Sequence, residues 1–367
     1  MDVRARLTSA AVRAAHVLVV EAPGGWRERF AAERAAAARG WTPAASPADA
    51  DVLVVCGAPG DDLAALLDRV WDQLPGPRAR AQVRSPTGAG QALAEAAALL
   101  ADERHQRRDA RERRQEPAPL HGDMDHGGMD HGDTDHGDMD HGGTDHGGMD
   151  HGDMAPAGIP LASGGPDRDG LEMDVLHLSL GPVLPSWPAG LVLDVALQGD
   201  VVVSAEARHV GGPTAEGHHG LEPPERAAYR VDGVARLLDL AGWPDAASRA
   251  RRTRDVLLDG DSATGHRLLV GLRSRVGRSR LLRWQLRGLG PPGRPDVHDR
   301  LLRALARAVD DLGRDAGDPG DGTSEDGGAG PDGLASATVG LELAAVRLVV
   351  AAADLDRLPT RREVVGG

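Results

Sequence analysis

The sequence predicts two folded domains. The first is an α/β N-terminal domain built on a small parallel sheet. The second is an α+β, mainly helical C-terminal domain entered through a β-hairpin region. Three observations carry this. Short apolar runs alternate with helix-like stretches over residues 16–115, the β-α-β alternation of an open sheet. A second series, from residue 173, begins with strand-like alternation and continues as amphipathic helices. Between them, residues 121–154 are too polar and too rich in glycine to build a core. The expected boundaries are 1–116, 117–172 and 173–367, the middle span being a disordered linker and residues 313–333 a disordered insertion. A chain of 367 residues is long enough for two domains of ordinary size plus linkers.

In the first domain, HVLVV at 16–20 reads as a buried parallel strand. The turn Glu21-Ala22-Pro23-Gly24-Gly25 follows. Residues 26–39 (WRERFAAERAAAAR) have helical composition and are closed by Gly40. DVLVV at 51–55 is a second strand. Cys56 then begins a turn, Cys56-Gly57-Ala58-Pro59-Gly60, in which we place no ligand. Residues 61–73 put Leu63, Leu66, Leu67 and Val70 on one helix face. Asp61 and Asp62 stand in its first turn, where the helix dipole favours them. Pro75-Gly76-Pro77 stops this helix, residues 79–83 follow as a third strand, and residues 89–115 read as one long helix. The glycines after the first two strands suit tight turns, since neither turn carries a dinucleotide or P-loop pattern.

In the second domain, DVLHLSLGP alternates. Val175, His177 and Ser179 lie on one side, and Leu176, Leu178 and Leu180 on the other. Residues 190–198 and 200–205 bracket Gly199-Asp200, a hairpin turn. Helices are expected over 225–241, from a cap at Asp245 to about residue 258, over 265–287 with interruptions at Gly271 and Gly277, and over 296–312. Residues 334–356 are expected as a helix followed by a buried terminal segment.

Net charge is −14, but the ten aspartates of the tract supply −10 of it. The rest is only mildly acidic, with no global basic field to attract nucleic acid. Every basic residue is Arg. The run ERHQRRDARERRQE at 103–116 mixes both signs and reads as a solvated helix face. Cys56 is the only cysteine. Disulfides within the chain, Cys-based zinc sites and all-Cys iron–sulfur ligation are thereby excluded. No stretch approaches about 18 uninterrupted apolar residues, so no transmembrane segment is expected. The expected location is cytoplasmic, with peripheral association on the inner face of the membrane left open.

The tract holds seven histidines, one every five residues: His121, His126, His131, His136, His141, His146 and His151. Methionines stand among them at Met124, Met129, Met139, Met149 and Met154. Neutral imidazoles coordinate Cu²⁺, Ni²⁺ or Zn²⁺, and thioethers add a preference for Cu(I). On a helix successive histidines would rotate about 140° from one another. This much glycine favours coil, so the expected sites are labile ones made by several histidines round one ion. Cu, Ni or Zn is the expected cofactor, at the histidines and at Met124, Met129, Met139 and Met149. The alternative is a passive spacer of 34 residues, spanning about 30–35 Å on average. His177, His218-His219 and the aspartates of 313–333 are weaker candidates, and no residue set is defensible as catalytic.

Two regions resemble a known family. HVLVVEAPGG at 16–25, ADVLVVCGAP at 50–59 and DRVWDQLPGPRARAQV at 68–83 resemble the small, cluster-bearing subunit of NADH–quinone oxidoreductase and nickel–iron hydrogenase. From residue 173 the chain resembles the large, 49-kDa-type partner subunit. There Gly181-Pro182 and Pro185 match its Gly-Pro-x-x-Pro turn and residues 197–202 its hairpin. His219-Gly220-Leu221-Glu222 is weakly similar to the stretch that follows, and residues 283–290 and 354–356 are compatible. The resemblance implies a fusion of two neighbouring subunits, with membrane-associated redox subunits as partners. It also implies losses. The family's cluster-holding Cys pair after the first strand is replaced by Pro23-Gly24-Gly25-Trp26, and the pocket His of the Gly-Pro turn by Leu184. The expectation is therefore an accessory or catalytically degenerate member, without its own iron–sulfur cluster. The alternative is a metal-buffering or metal-delivery protein using residues 121–154.

Overall fold

The computed structural model describes residues 11–115, 163–166, 172–211, 221–313 and 330–355. The N-terminal domain comprises β1 (His16–Glu21), α1 (Trp26–Ala38), β2 (Thr42–Pro43), β3 (Val52–Cys56), α2 (Asp61–Gln73), β4 (Ala79–Val83), α3 (Ala89–Ala101) and α4 (Glu103–Gln115). Its four strands are all parallel, in the order β2-β1-β3-β4. β3 is buried along its whole length, as a strand covered on both faces must be. Val52, Val54 and Cys56 enter the core beside Ala32, Ala36 and Leu93 of α1 and α3. Leu53 and Val55 enter the other core, with Leu18, Val20, Leu63 and Leu67.

This domain departs from expectation in four respects. Cys56 closes β3 instead of opening a turn, and it pairs in register with Glu21. β2 has two residues, too few for a periodic pattern. Residues 89–115 are two helices, because the Asp102 carboxylate accepts from the backbone N–H of Arg104 and His105, at 2.9 and 3.2 Å. Such a cap starts a new helix. Nor is α4 wholly solvated. Arg78, buried and stacked on Trp71 at 4.1 Å, donates to Asp109 at 3.0 Å, and its backbone N–H donates to Gln106 at 2.9 Å.

The C-terminal domain opens with an antiparallel sheet, β5-β6-β7-β8 (Ser163–Pro166, Glu172–Leu180, Leu191–Gln198 and Val201–His209). β5 lies inside the span expected to be linker. The hairpin turn between β7 and β8 contains Gly199 at φ +62°, a conformation glycine adopts without strain. Leu176, Leu178 and Leu180 turn inward onto Leu193, Val195, Val346 and Val350, whereas His177 and Ser179 are exposed.

The helices are α5 (Pro223–Leu240), α6 (Pro244–Leu258), α7 (Ser262–Gly277), α8 (Arg280–Leu286), α9 (Val297–Leu312), α10 (Pro331–Ser336) and α11 (Leu343–Asp354). Residues 265–287 break at Arg278 and Ser279, where the Ser279 hydroxyl accepts from the Leu282 N–H at 3.3 Å and starts α8. Residues 334–355 hold the end of one helix, α10, and then a buried terminal segment, as expected, that is itself helical, α11. Glu342 bridges to Val201 between them; the β-branched residues Val346, Val349 and Val350 are helical, their apolar faces covered by the sheet and by α5. Residues 331–333, expected in the insertion, belong to α10. A core of Ala228, Val231, Leu237, Leu269, Leu301 and Leu305 unites the helices. Among the described residues no helix is long and apolar enough to cross a membrane.

Candidate functional site

The two domains meet along α1, α5 and α6. Arg29 and Glu33 stand one turn apart on α1, and Asp232 and Arg236 one turn apart on α5, the spacing that puts both members of a pair on one helix face. Arg254 joins them from α6. Beside them, Trp26 packs edge-on against Phe30 at 5.3 Å and against Tyr229 at 5.7 Å. Phe30 and Tyr229 are the only Phe and the only Tyr of the chain. In a protein this poor in aromatics, both are spent on the seam between the domains.

Asp232 is the centre of the ionic part, with a side chain 1% exposed. Arg29 donates Nη2 to its Oδ2 at 2.5 Å and Nη1 to its Oδ1 at 3.3 Å. Arg254 donates Nη1 to the same Oδ1 at 2.7 Å, and Arg236 lies 3.3 Å from Oδ2. Around this core Arg29 reaches Glu21 at 2.5 Å and Glu33 at 2.7 Å. Arg254 reaches Glu33 at 2.6 Å and Asp255 at 2.9 Å, and Arg236 reaches Asp354 at 2.9 Å. Arg29 and Arg254 also lie over the Phe30 ring, at 4.7 and 4.5 Å from its centroid. Arg27–Glu225 and Arg34–Asp259 close the outer rim at 2.7 and 2.9 Å.

Burial works against every charge here, and the neighbours decide which side wins. It would raise Asp232 and Glu33, but Arg29 and Arg254 outweigh it and hold both carboxyls below their ordinary range. Glu21 goes the other way: burial pushes its carboxyl up despite Arg29 and Arg236. Burial also pushes the Tyr229 phenol and the Cys56 thiol well up. Neither is activated as a nucleophile or base; a reactive thiol needs a lowered value.

The seam lies over the place where an open parallel sheet offers a ligand site. Strand order reverses at β1 and β3, and the crevice beyond their carboxyl ends is the topological switch point. Here the turns after the two strands close on each other. A Cβ on Gly25 would stand 2.4 Å from the Cys56 carbonyl oxygen, and one on Gly57 would stand 2.9 Å from Gly25 Cα. The second domain packs against the first of these turns. Pro23 lies 3.0 Å from where a Cβ would stand on Gly190 or on Gly211, at the ends of β7 and β8. The iron–sulfur cluster borne by the subunit this region resembles does not fit these residues. The sole thiol is buried in a strand with its proton held, and a cubane needs several thiolates.

Among the sequence-predicted candidates, His121, His126, His131, His136, His141, His146, His151, Met124, Met129, Met139 and Met149 lie outside the described residues. So do His218-His219 and residues 314–329. His177 is exposed on β6, and Leu184 supplies a backbone carbonyl to the Trp187 N–H at 3.2 Å. One further cluster of metal-ligand type, Asp296, His298 and Asp299, has donor atoms within 4.8 Å of one another. Asp296 already accepts from the backbone N–H of Gly288 and Asp299, both at 2.9 Å, and caps α9. Sequence reasoning missed the seam. Its residues look like solvated helix charges one at a time, and the available signal was that the lone Phe and lone Tyr each stand among Arg and Glu or Asp at a four-residue spacing.

No protein-family model, curated protein or solved structure matches this chain.

Proposed function

We propose that the chain is a fused, catalytically degenerate relative of the small and large subunits of NADH–quinone oxidoreductase and nickel–iron hydrogenase. In this reading it serves as an accessory protein beside membrane-associated redox subunits, and residues 121–154 bind Cu, Ni or Zn. The observation that supports it best is the closed switch point. A small parallel sheet meets, beside its ligand-binding edge, a second domain that follows in the same chain, through a desolvated ion-pair core. Two docked domains joined as one chain suit a structural partner, and the protonated, buried Cys56 suits a member that transfers no electrons.

The test is crosslinking of the full chain in its source cells, followed by affinity purification and identification of what is attached. Quinone-reductase-type or hydrogenase-type subunits are expected. Recovery of the chain with no redox subunit would leave the second reading, a metal-buffering or metal-delivery protein. That reading is favoured by one observation of its own: the tract gathers seven of the chain's 15 histidines and five of its seven methionines.

A further inference from the structure

Residues 262–295 carry eight arginines and no Asp or Glu, in a chain whose net charge is −14. The eight are Arg267, Arg273, Arg275, Arg278, Arg280, Arg283, Arg287 and Arg294, and all are exposed. They span α7, α8 and the loop that follows. Among the described residues none of them forms an ion pair. Arg267 donates to the Thr264 hydroxyl at 3.0 Å, Arg278 to the Ser274 carbonyl at 3.1 Å, and Arg275 lies over Trp243 at 5.4 Å. The same chain matches other arginines to carboxylates closely: Arg29, Arg78, Arg230, Arg236 and Arg254 each have one. The exposed side of α7, α8 and the loop after them is thus rich in arginines that no described carboxylate pairs.

The face also carries apolar groups that the fold does not use. Trp284 is 80% exposed and Leu281 is 72% exposed, both on α8. Leu282 and Leu286 of the same helix are buried, so α8 is correctly oriented on the core and still leaves two large side chains outside. At 100° per residue, Leu281 and Trp284 lie about 60° apart, with Arg280 and Arg287 on the far side of Trp284. The result is an apolar ridge edged by guanidinium groups. Val270 on α7 is a further exposed apolar side chain.

We infer that the α7–α8 face docks on an anionic lipid bilayer. An amphipathic surface helix with Trp and Leu outward and Arg alongside has the composition of interfacial membrane binding. The indole seats at the headgroup level, and each Arg gains from the negative surface potential. A nucleic acid would engage the arginines and stack on Trp284, but it leaves Leu281 in water; a bilayer uses both. The inference rests on these exposed residues alone and is independent of the proposed family relationship.

The experiment is co-sedimentation of the full chain with vesicles of phosphatidylcholine, with and without about one third phosphatidylglycerol, at low and at high salt. The wild type should bind the anionic vesicles at least about tenfold more tightly than the neutral ones, and lose this preference at on the order of 0.5 M salt. Trp284→Ala with Leu281→Ala, and separately Arg280→Gln with Arg283→Gln, should each weaken binding about tenfold. These side chains are exposed, so circular dichroism should be unchanged. Equal binding to neutral and anionic vesicles overturns the proposal, as does wild-type binding by the Trp284/Leu281 variant. Binding of single-stranded DNA without sedimentation on vesicles assigns the face to nucleic acid and also overturns it.

Discussion

Arg29 on α1 and Asp232 on α5, separated by 203 residues, form a two-point ion pair that closes the seam between the domains. Both are buried, so neither charge can return to water without opening the interface. Removing one partner leaves the other desolvated and unpaired, at a cost of about 3–5 kcal/mol. Asp232→Ala should therefore lower unfolding free energy by about that amount, since Arg29, Arg236 and Arg254 all lose a ligand. Rim pairs differ. Arg34→Ala should change stability by less than about 1 kcal/mol, because the Arg34–Asp259 pair is solvent-exposed. Urea denaturation of both variants checks the contrast, and similar costs at the two positions would remove Asp232 from its central role.

The network is expected to titrate with opposite signs. Asp232 and Glu33 are held below their ordinary range, so their contribution is present above about pH 4 and lost as pH falls through their folded-state values. Glu21 is raised by burial, so its contribution is full below about pH 4.3 and is lost as pH rises through its folded-state value. Asp255, also raised by burial, acts in the same direction as Glu21. Glu21→Gln should consequently lessen the fall in stability that sets in as pH rises above about 4.3, the ordinary glutamate value. An unchanged fall in unfolding free energy would count against a perturbed Glu21.

Cys56 should be silent to thiol reagents in the folded protein. It is buried, its thiol is pushed up by burial, and reaction requires thiolate and access. Full labelling should follow only after denaturation. Rapid labelling of the native chain would show that the α1–α3 layer opens over β3, and would revive Cys56 as a chemical group.

Two neighbouring glycines serve as a matched pair. Gly25→Ala forces a Cβ to 2.4 Å from the Cys56 carbonyl, so the β1 and β3 turns must separate. That overpacking should cost about 1–3 kcal/mol or more. Gly24→Ala meets nothing within 4 Å but sits at φ +81°, and should cost about 1–2 kcal/mol through backbone strain alone. Only Gly25→Ala should also expose Cys56 to labelling, which separates closure of the switch point from local strain.

The His tract makes its own prediction. The full chain should bind several equivalents of Cu, Ni or Zn at about pH 7.5 and release them by about pH 5, as imidazoles protonate. Titration calorimetry against a variant lacking residues 121–154 is the check; equal binding by that variant would refute metal capacity in the tract.

Sequence alone determined the element types where a local period or composition settles them. The apolar β1 and β3 runs, the Leu63–Leu67 face of α2, the Gly199 turn and the alternation of β6 all follow from neighbours within a few residues. It also determined that one thiol cannot hold a cluster. The tertiary structure decided what depends on distant partners. Asp102 and Ser279 divide helices because their oxygens find backbone N–H groups, a choice composition leaves open. Val346, Val349 and Val350 are helical because tertiary burial overrides their β preference. Arg29, Asp232 and Arg254 become a seam because α1, α5 and α6 converge. Each was a plausible surface charge until another domain removed the water, and sequence spacing holds no measure of that desolvation.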